Sequence, residues 1–253
     1  MAILFDLHTH THYSDGKSSV DDNISAALQK GIVLGISDHG PGHPWYGIRK
    51  KNLAREKEDI IRASQSSNAP ILQGIEANIM AADGSNDLDD LPTLDYVLIG
   101  HHKGIFPRSF FSTYLMMLKQ IDRDKARRII TEATIACMDD PRIDVITHPG
   151  AYVPVDMPVM AAAAREKGVL IELNQRHPLS LSQAREAQQA GATFLLSSDA
   201  HRGENIGRVP DAEAVAKAAG IPPQAIVNSP EYRWDRDIRL HRLCDMLVTQ
   251  REQ

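Results

Sequence analysis

A single α/β domain, with seven parallel strands rolled together with their helices into a closed or nearly closed TIM-like (β/α)7 barrel, is what this sequence predicts. Three observations lead there. Short apolar runs alternate with helical segments between residues 3 and 200, a pattern that requires parallel strands joined by helical crossovers. Six of the runs end in His, Asp or Glu: FDLHTHTHYSDG, LGISDHG, LQGIEANI, VLIGHH, DVITHPG and LLSSDAH. The length of 253 residues, 42% of them apolar, suits one barrel, which typically takes about 250 residues. An open doubly wound sheet is the competing arrangement.

The elements follow in order. Residues 3–10 read as the first strand. Ser18 or Ser19 caps an amphipathic helix over VDDNISAALQK, which Gly31 closes. VLGIS is the second strand, and after the Gly- and Pro-rich stretch HGPGHPWYG a helix is expected over 50–65. APILQGIEANI supplies the third strand and residues 95–100 the fourth. Apolar residues at three-four spacing predict the longest helix over 112–138. DVITH, VLIELN and TFLLSS are strands five to seven, separated by Ala-rich helices near 156–167 and 181–190. No repeat or low-complexity linker interrupts the chain. Residues 1–253 therefore read as one domain, with a charged segment from about residue 230 that closes in a short helix.

Composition excludes several roles. With 33 acidic against 28 basic residues and a net charge of -5, the chain lacks the cationic excess needed to track nucleic acid or an anionic membrane. A small anionic substrate is compatible with that balance. No apolar run reaches membrane-spanning length, and the first strand begins almost at Met1, so no signal peptide and a cytoplasmic location are expected. Cys137 and Cys244 form no CxxC pair and are expected as reduced thiols.

One histidine ending an apolar strand is usually a core residue, but parallel strands bring all their C-terminal ends to one rim. His8 and His10, two apart on a strand, point to the same side and can share a metal ion. Asp15, in the Ser-Asp-Gly turn beyond them, is the next candidate ligand and ranks above His12; a turn-forming Asp is the alternative. His39 opens the second unit, and Asp38 is expected to hydrogen-bond its imidazole and fix the tautomer. Glu76 is a carboxylate inside an apolar strand, a placement that needs either cations or a salt bridge. Of His101 and His102 only one can face inward, and periodicity leaves the choice open. His148 ends the fifth strand, and Asp199 with His201 repeats the two-residue spacing at the seventh. So many mixed N and O donors exceed one tetrahedral ion. They imply a multinuclear site of Zn, Mn or Fe, without thiolates.

In the joint order of DLHTH, SDG, SDHG, GIEANI, a histidine after strand four, THPG, IELN and SDAH, the chain resembles the PHP (polymerase and histidinol phosphatase) family over residues 3–230. The likeness is to its small stand-alone phosphoesterases, which have a distorted seven-stranded barrel with the metal site at the C-terminal rim. That resemblance implies a trinuclear centre held by His8, His10, Asp15, His39, Glu76, His102, His148, Asp199 and His201, with Glu76 bridging. It selects His102 over His101, because the family's ligand falls two residues after the glycine of strand four. Some relatives carry a histidine where this chain has Asp15. Three divalent ions are implied, zinc first, with manganese or iron as alternatives.

The implied activity is hydrolysis of a small phosphate monoester, a histidinol-phosphate-like compound among the candidates. A phosphodiesterase or exonuclease acting on nucleotides is the alternative, and a non-catalytic metal-stabilised interaction domain the third. A metal lowers the pKa of bound water from about 15.7 toward about 7, which supplies hydroxide for in-line attack, with Asp199 and His201 at the reacting centre. Lys103, Arg176 and Arg202 follow strands four, six and seven, where cations would clamp phosphoryl oxygens. His43, Trp45 and Tyr46 lie in a loop placed to cover the site, whereas His177 and His241 are expected in structural or surface roles. The stripe of Trp234, Ile238, Leu240, Leu243 and Met246 serves either a second subunit or the chain's own body, leaving the oligomeric state open. No Ser or Cys nucleophile, P-loop or GxGxxG competes with the metal.

Overall fold

Residues 2–103, 110–235 and 237–248 are described by the computed structural model of the chain. The strands are β1 (Phe5–Asp6), β2 (Val33–Ile36), β3 (Ile71–Asn78), β4 (Tyr96–Gly100), β5 (Val145–Ile146), β6 (Leu170–Asn174) and β7 (Phe194–Ser197). All neighbours pair in parallel, in sequence order from β1 to β7. The helices are α1 (Val20–Lys30), α2 (Lys50–Ser67), α3 (Phe110–Ile121), α4 (Arg123–Cys137), α5 (Met157–Glu166), α6 (Leu181–Gln189), α7 (Pro210–Ala219) and α8 (Cys244–Val248). Among the described residues no helix is long and apolar enough to cross a membrane.

Local chemistry accounts for the boundaries. Ser19 and Asp22 cap the start of α1 reciprocally, and Gly31 ends it at φ 63, a left-handed conformation that suits glycine. The helix expected over 112–138 is two helices. Asp122 interrupts it, its side chain accepting the Lys125 backbone N–H at 2.9 Å and starting α4 afresh, while the apolar spacing runs on across the break. The strand expected over 3–10 forms a ladder only at Phe5–Asp6, because the chain then leaves the sheet to present His8 and His10. The helix α7 was not anticipated, although Pro210 at its start, the acids Asp211 and Glu213 and the closing Gly220 all signal it.

Side chains close the barrel between β7 and β1. A single bridge joins Thr9 to Ala200, with His10 N–H donating to Ala200 C=O at 2.8 Å. Below it Asn228 stands where another strand would run. Its amide donates to Phe5 C=O at 2.8 Å and Leu196 C=O at 2.7 Å, and its Oδ1 accepts Leu196 N–H at 3.1 Å. Asp6 adds a bond to Ser198 Oγ and one to Gly207 N–H.

The barrel interior is filled by Phe5, Leu7, Leu72, Tyr96, Leu98, Val145, Leu170 and Leu195. Tyr96 fits because β3 carries Gly74 opposite, where a Cβ would stand 2.3 Å from the Tyr96 ring. The C-terminal stripe resolves in favour of the chain's own body: Ile238, Leu240, Leu243 and Leu247 pack into this same cluster and stopper the N-terminal mouth, with Trp234 partly buried against it. Met246 stays outside, 39% exposed. Cys137 is a buried free thiol, whereas Cys244, expected buried as well, is free but only half-buried.

Candidate metal centre

At the opposite mouth, Glu76 stands at the centre of a ring of imidazoles. Its Oε1 lies 2.9 Å from His102 Nε2 and 2.8 Å from His148 Nε2. Its Oε2 lies 2.8 Å from His39 Nδ1, 3.3 Å from His8 Nε2 and 3.6 Å from His10 Nε2. Burial by itself would raise the carboxyl's pKa, but His39, His8 and His102 reverse this and hold it well below the usual range. Beside it, Asp199 Oδ1 is 3.4 Å from both His10 Nε2 and His201 Nδ1. Asp15 Oδ2 reaches His201 Nε2 at 3.2 Å, and its Oδ1 is 3.7 Å from His39 Nε2. All nine residues singled out in the sequence thus meet at one rim.

Seven of the nine fall into three overlapping groups, all but His148 and Asp199: His10, Asp15, His39 and His201; His8, His10 and Glu76; and His39, Glu76 and His102. Within each, the ligand atoms lie within 4.8 Å of one another. His8 Nε2, both ring nitrogens of His10, His39 Nδ1 and Glu76 Oε2 are buried without a well-formed hydrogen bond. Leaving that many polar atoms unsatisfied is costly, and divalent cations are the partners this mixed N and O set fits. Burial also pushes the His10 and His102 imidazoles down to about 4, which keeps them neutral and available as donors.

The backbone is bent to serve this geometry. His148 sits at φ 28 and Asp199 at φ 50, conformations non-glycine residues avoid. The choice between the adjacent histidines follows from strand alternation: His102 turns to Glu76, while His101 turns outward to line a small cavity with Ile79, Ile130 and Thr134.

Two supporting residues differ from expectation. Asp38 does not orient His39. Adjacent strand residues face opposite ways, so Asp38 points to the β1 side, where Oδ1 accepts Thr11 N–H at 2.7 Å and its carboxylate takes the hydroxyls of Thr11 and Ser14. It therefore shapes the turn that carries Asp15. The carboxylate that orients a ligand is Glu172, which sequence reading passed over. Its Oε1 lies 2.5 Å from His8 Nδ1, and Oε2 accepts the His148 N–H at 2.7 Å and the Asn174 amide at 3.0 Å. The signal was available in VLIELN, an acid inside an apolar strand just as in GIEANI.

The candidate cations sit at the edge. Arg176 Nη1 is 3.4 Å from Asp199 Oδ1 and 2.6 Å from His201 Nδ1. Lys103 Nζ stands 4.6 Å above the Tyr152 ring. Arg202 lines a cavity with Asp199 and His201. His43 stacks on Tyr46, whose ring is 4.6 Å from that of His39, while Trp45 is 80% exposed. His177, expected away from the site, is 5.3 Å from the His148 ring with Nε2 3.4 Å from Tyr152 Oη. His12 is exposed on Tyr13, and His241 lies beside Trp234.

A model of the PHP domain matches residues 6–176. The chain belongs to the PHP family. A probable phosphatase of Shewanella sp. (strain ANA-3) is 34% identical over 244 residues, spanning 88% of this chain and 86% of that protein. Another, from Shewanella pealeana, is 32% identical over 252 residues and spans 91% of each. A crystal structure of histidinol phosphate phosphatase from Lactococcus lactis, complexed with zinc, L-histidinol and phosphate, shares the PHP barrel at 15% identity and a TM-score of 0.59. It covers 86% of this chain and 94% of that one. His8 to His148 fall inside the matched PHP segment, and Asp199 and His201 lie beyond it.

Proposed function

We propose that this PHP protein is a metal-dependent phosphatase that hydrolyses small phosphate monoesters at a trinuclear centre. The observation that carries the reading is a buried carboxylate, Glu76, within 3.6 Å of five imidazoles, two of which, His10 and His39, also lie within 3.7 Å of Asp199 and Asp15 respectively. The relatives named as probable phosphatases support it, as does the fold shared with a histidinol phosphate phosphatase. His8, His10, Asp15, His39, Glu76, His102, His148, Asp199 and His201 would hold the ions, Glu76 being common to two of the donor groups. Zinc is the first choice, with manganese or iron as alternatives. Bound ions would supply an activated water and neutralise charge on the phosphoryl group.

The chain's own groups do the rest. Arg176, beside Asp199 and His201, is placed to take phosphoryl oxygens through its guanidinium fork, with Lys103 and Arg202 flanking. Histidinol phosphate is one candidate substrate.

Purified protein with its metal content measured should be assayed against p-nitrophenyl phosphate, bis-p-nitrophenyl phosphate and a panel of phosphorylated metabolites. Turnover of the monoester supports the reading. Activity confined to the diester would make it a phosphodiesterase, and inactivity at about three bound ions would leave a metal-stabilised interaction domain.

A further inference from the structure

Beyond Asp199 and His201 the rim opens into a hollow of about 410 Å³, lined by those two residues and by Arg176, Arg202, Asn205 and Arg208. Arg176 is engaged by the site itself. The other two guanidiniums are not. Among the described residues neither Arg202 nor Arg208 has an ion-pair partner, and Arg208 reaches only Asn205 Oδ1, at 3.5 Å. The nearby Asp211 is committed elsewhere, its backbone and carboxylate both tied to Gln175.

The loop that carries these arginines is fixed from beneath. Gly203 N–H donates to Ser18 Oγ at 2.9 Å, Gly207 N–H to Asp6 Oδ2 at 2.8 Å, and Lys30 Nζ to Ile206 C=O. Ile206 is fully buried, and Gly207 makes the turn into Arg208 at φ 70. Two uncompensated cations are thus held on an anchored loop facing the same cavity as two of the metal-centre residues. Preorganised donors of this kind lose little freedom on binding an anion.

We propose that this hollow is a second anion subsite, so that the preferred substrate is a phosphate monoester whose alcohol part carries a further phosphate or carboxylate group. Arg208, joined by Arg202 from the edge of the ester site, would hold that second group while the ester phosphate lies at the metal centre. The inference rests on the phosphatase reading and narrows its substrate class.

The test compares kcat/KM of the metal-loaded protein within matched pairs: fructose 1,6-bisphosphate against fructose 6-phosphate, and 3-phosphoglycerate against glycerol 3-phosphate. The first pair reports a second phosphate and the second a carboxylate. The doubly anionic member should be favoured by on the order of 10-fold, mainly through KM, in at least one pair. In R208A and in R202A/R208A the ratio should collapse toward one, and R208K should restore part of it. Because the ratio is internal to each variant, a loss of folded protein cannot imitate the result. A wild-type ratio near one in both pairs, with monoesters still turned over, overturns the subsite and leaves the phosphatase standing. A ratio that survives in the double variant also overturns it. Failure to turn over any monoester at full metal content sinks both readings.

Discussion

Glu172 Oε1 lies 2.5 Å from Nδ1 of His8, both groups fully buried, and this contact decides which ring nitrogen of His8 faces Glu76. With Nδ1–H given to Glu172, Nε2 is left as the donor to an ion. His8 in turn holds the Glu172 carboxyl down to about 2 against the raising effect of burial. Replacing Glu172 with Gln keeps the shape but loses the charge. Metal affinity of E172Q should fall about 10- to 100-fold. Titration with a competing chelator checks this, and unchanged affinity would assign Glu172 a packing role only.

Stripping metal should loosen the whole rim. Without cations, the crowded imidazoles and carboxylates keep buried atoms without partners, so chelator treatment should abolish activity and lower the melting temperature. Zinc or manganese added back should restore both. E76Q should retain fewer ions and lose at least about 10³-fold in kcat, since the one carboxylate common to two of the donor groups is gone. Elemental analysis of the purified variant gives the count.

A second buried carboxyl sets a pH dependence away from the ligands. Glu56, on α2, accepts the Gln73 amide at 2.6 Å and feels the charge of Asp38. Burial, followed by the charge of Asp38, raises the Glu56 carboxyl well above its ordinary value. A raised folded-state pKa means that Glu56 stabilises the fold fully below its unfolded pKa of about 4.3, and that this is lost as pH climbs through the folded value. E56Q, which mimics the protonated form, should therefore melt with a flatter pH profile than wild type as pH rises above the unfolded value of about 4.3. Parallel profiles measured by calorimetry would contradict this.

The seam offers a stability test. Asn228 makes three side-chain hydrogen bonds across the gap between β1 and β7, all buried. N228A strands two carbonyls and one N–H, at a cost of about 2–4 kcal/mol, several degrees in melting temperature. Chemical denaturation should show a lower midpoint with an unchanged slope.

Much of this molecule could be read before its coordinates. Apolar runs located every strand, since buried parallel strands leave little room for polar residues, and Gly31 marked the end of α1, whose cap is Ser19, the second of the two serines the sequence offered. The clustering of the rim residues was legible because an acid or imidazole at the end of such a run has few other reasons to be there, although the pattern left His101 or His102 open and the resemblance to the PHP family chose His102. What escaped depended on direction in space. Asp38 and His39 are neighbours in sequence yet face different partners, so adjacency suggested a contact that alternation forbids. Glu172 carried the same signal as Glu76, but its partner His8 lies 164 positions away. Asp122 ended a helix without disturbing the apolar rhythm, and the Asn228 seam left no periodic trace at all.

Among the described residues, Ile238, Leu240, Leu243 and Leu247 cover the N-terminal mouth of the barrel and leave the C-terminal rim as the way in to the donors. Ions and ester must pass through the same opening. An occupied pocket therefore bars the exit of the cations behind it, and inorganic phosphate or a slow substrate should protect the holoprotein against a chelator in proportion to its own saturation.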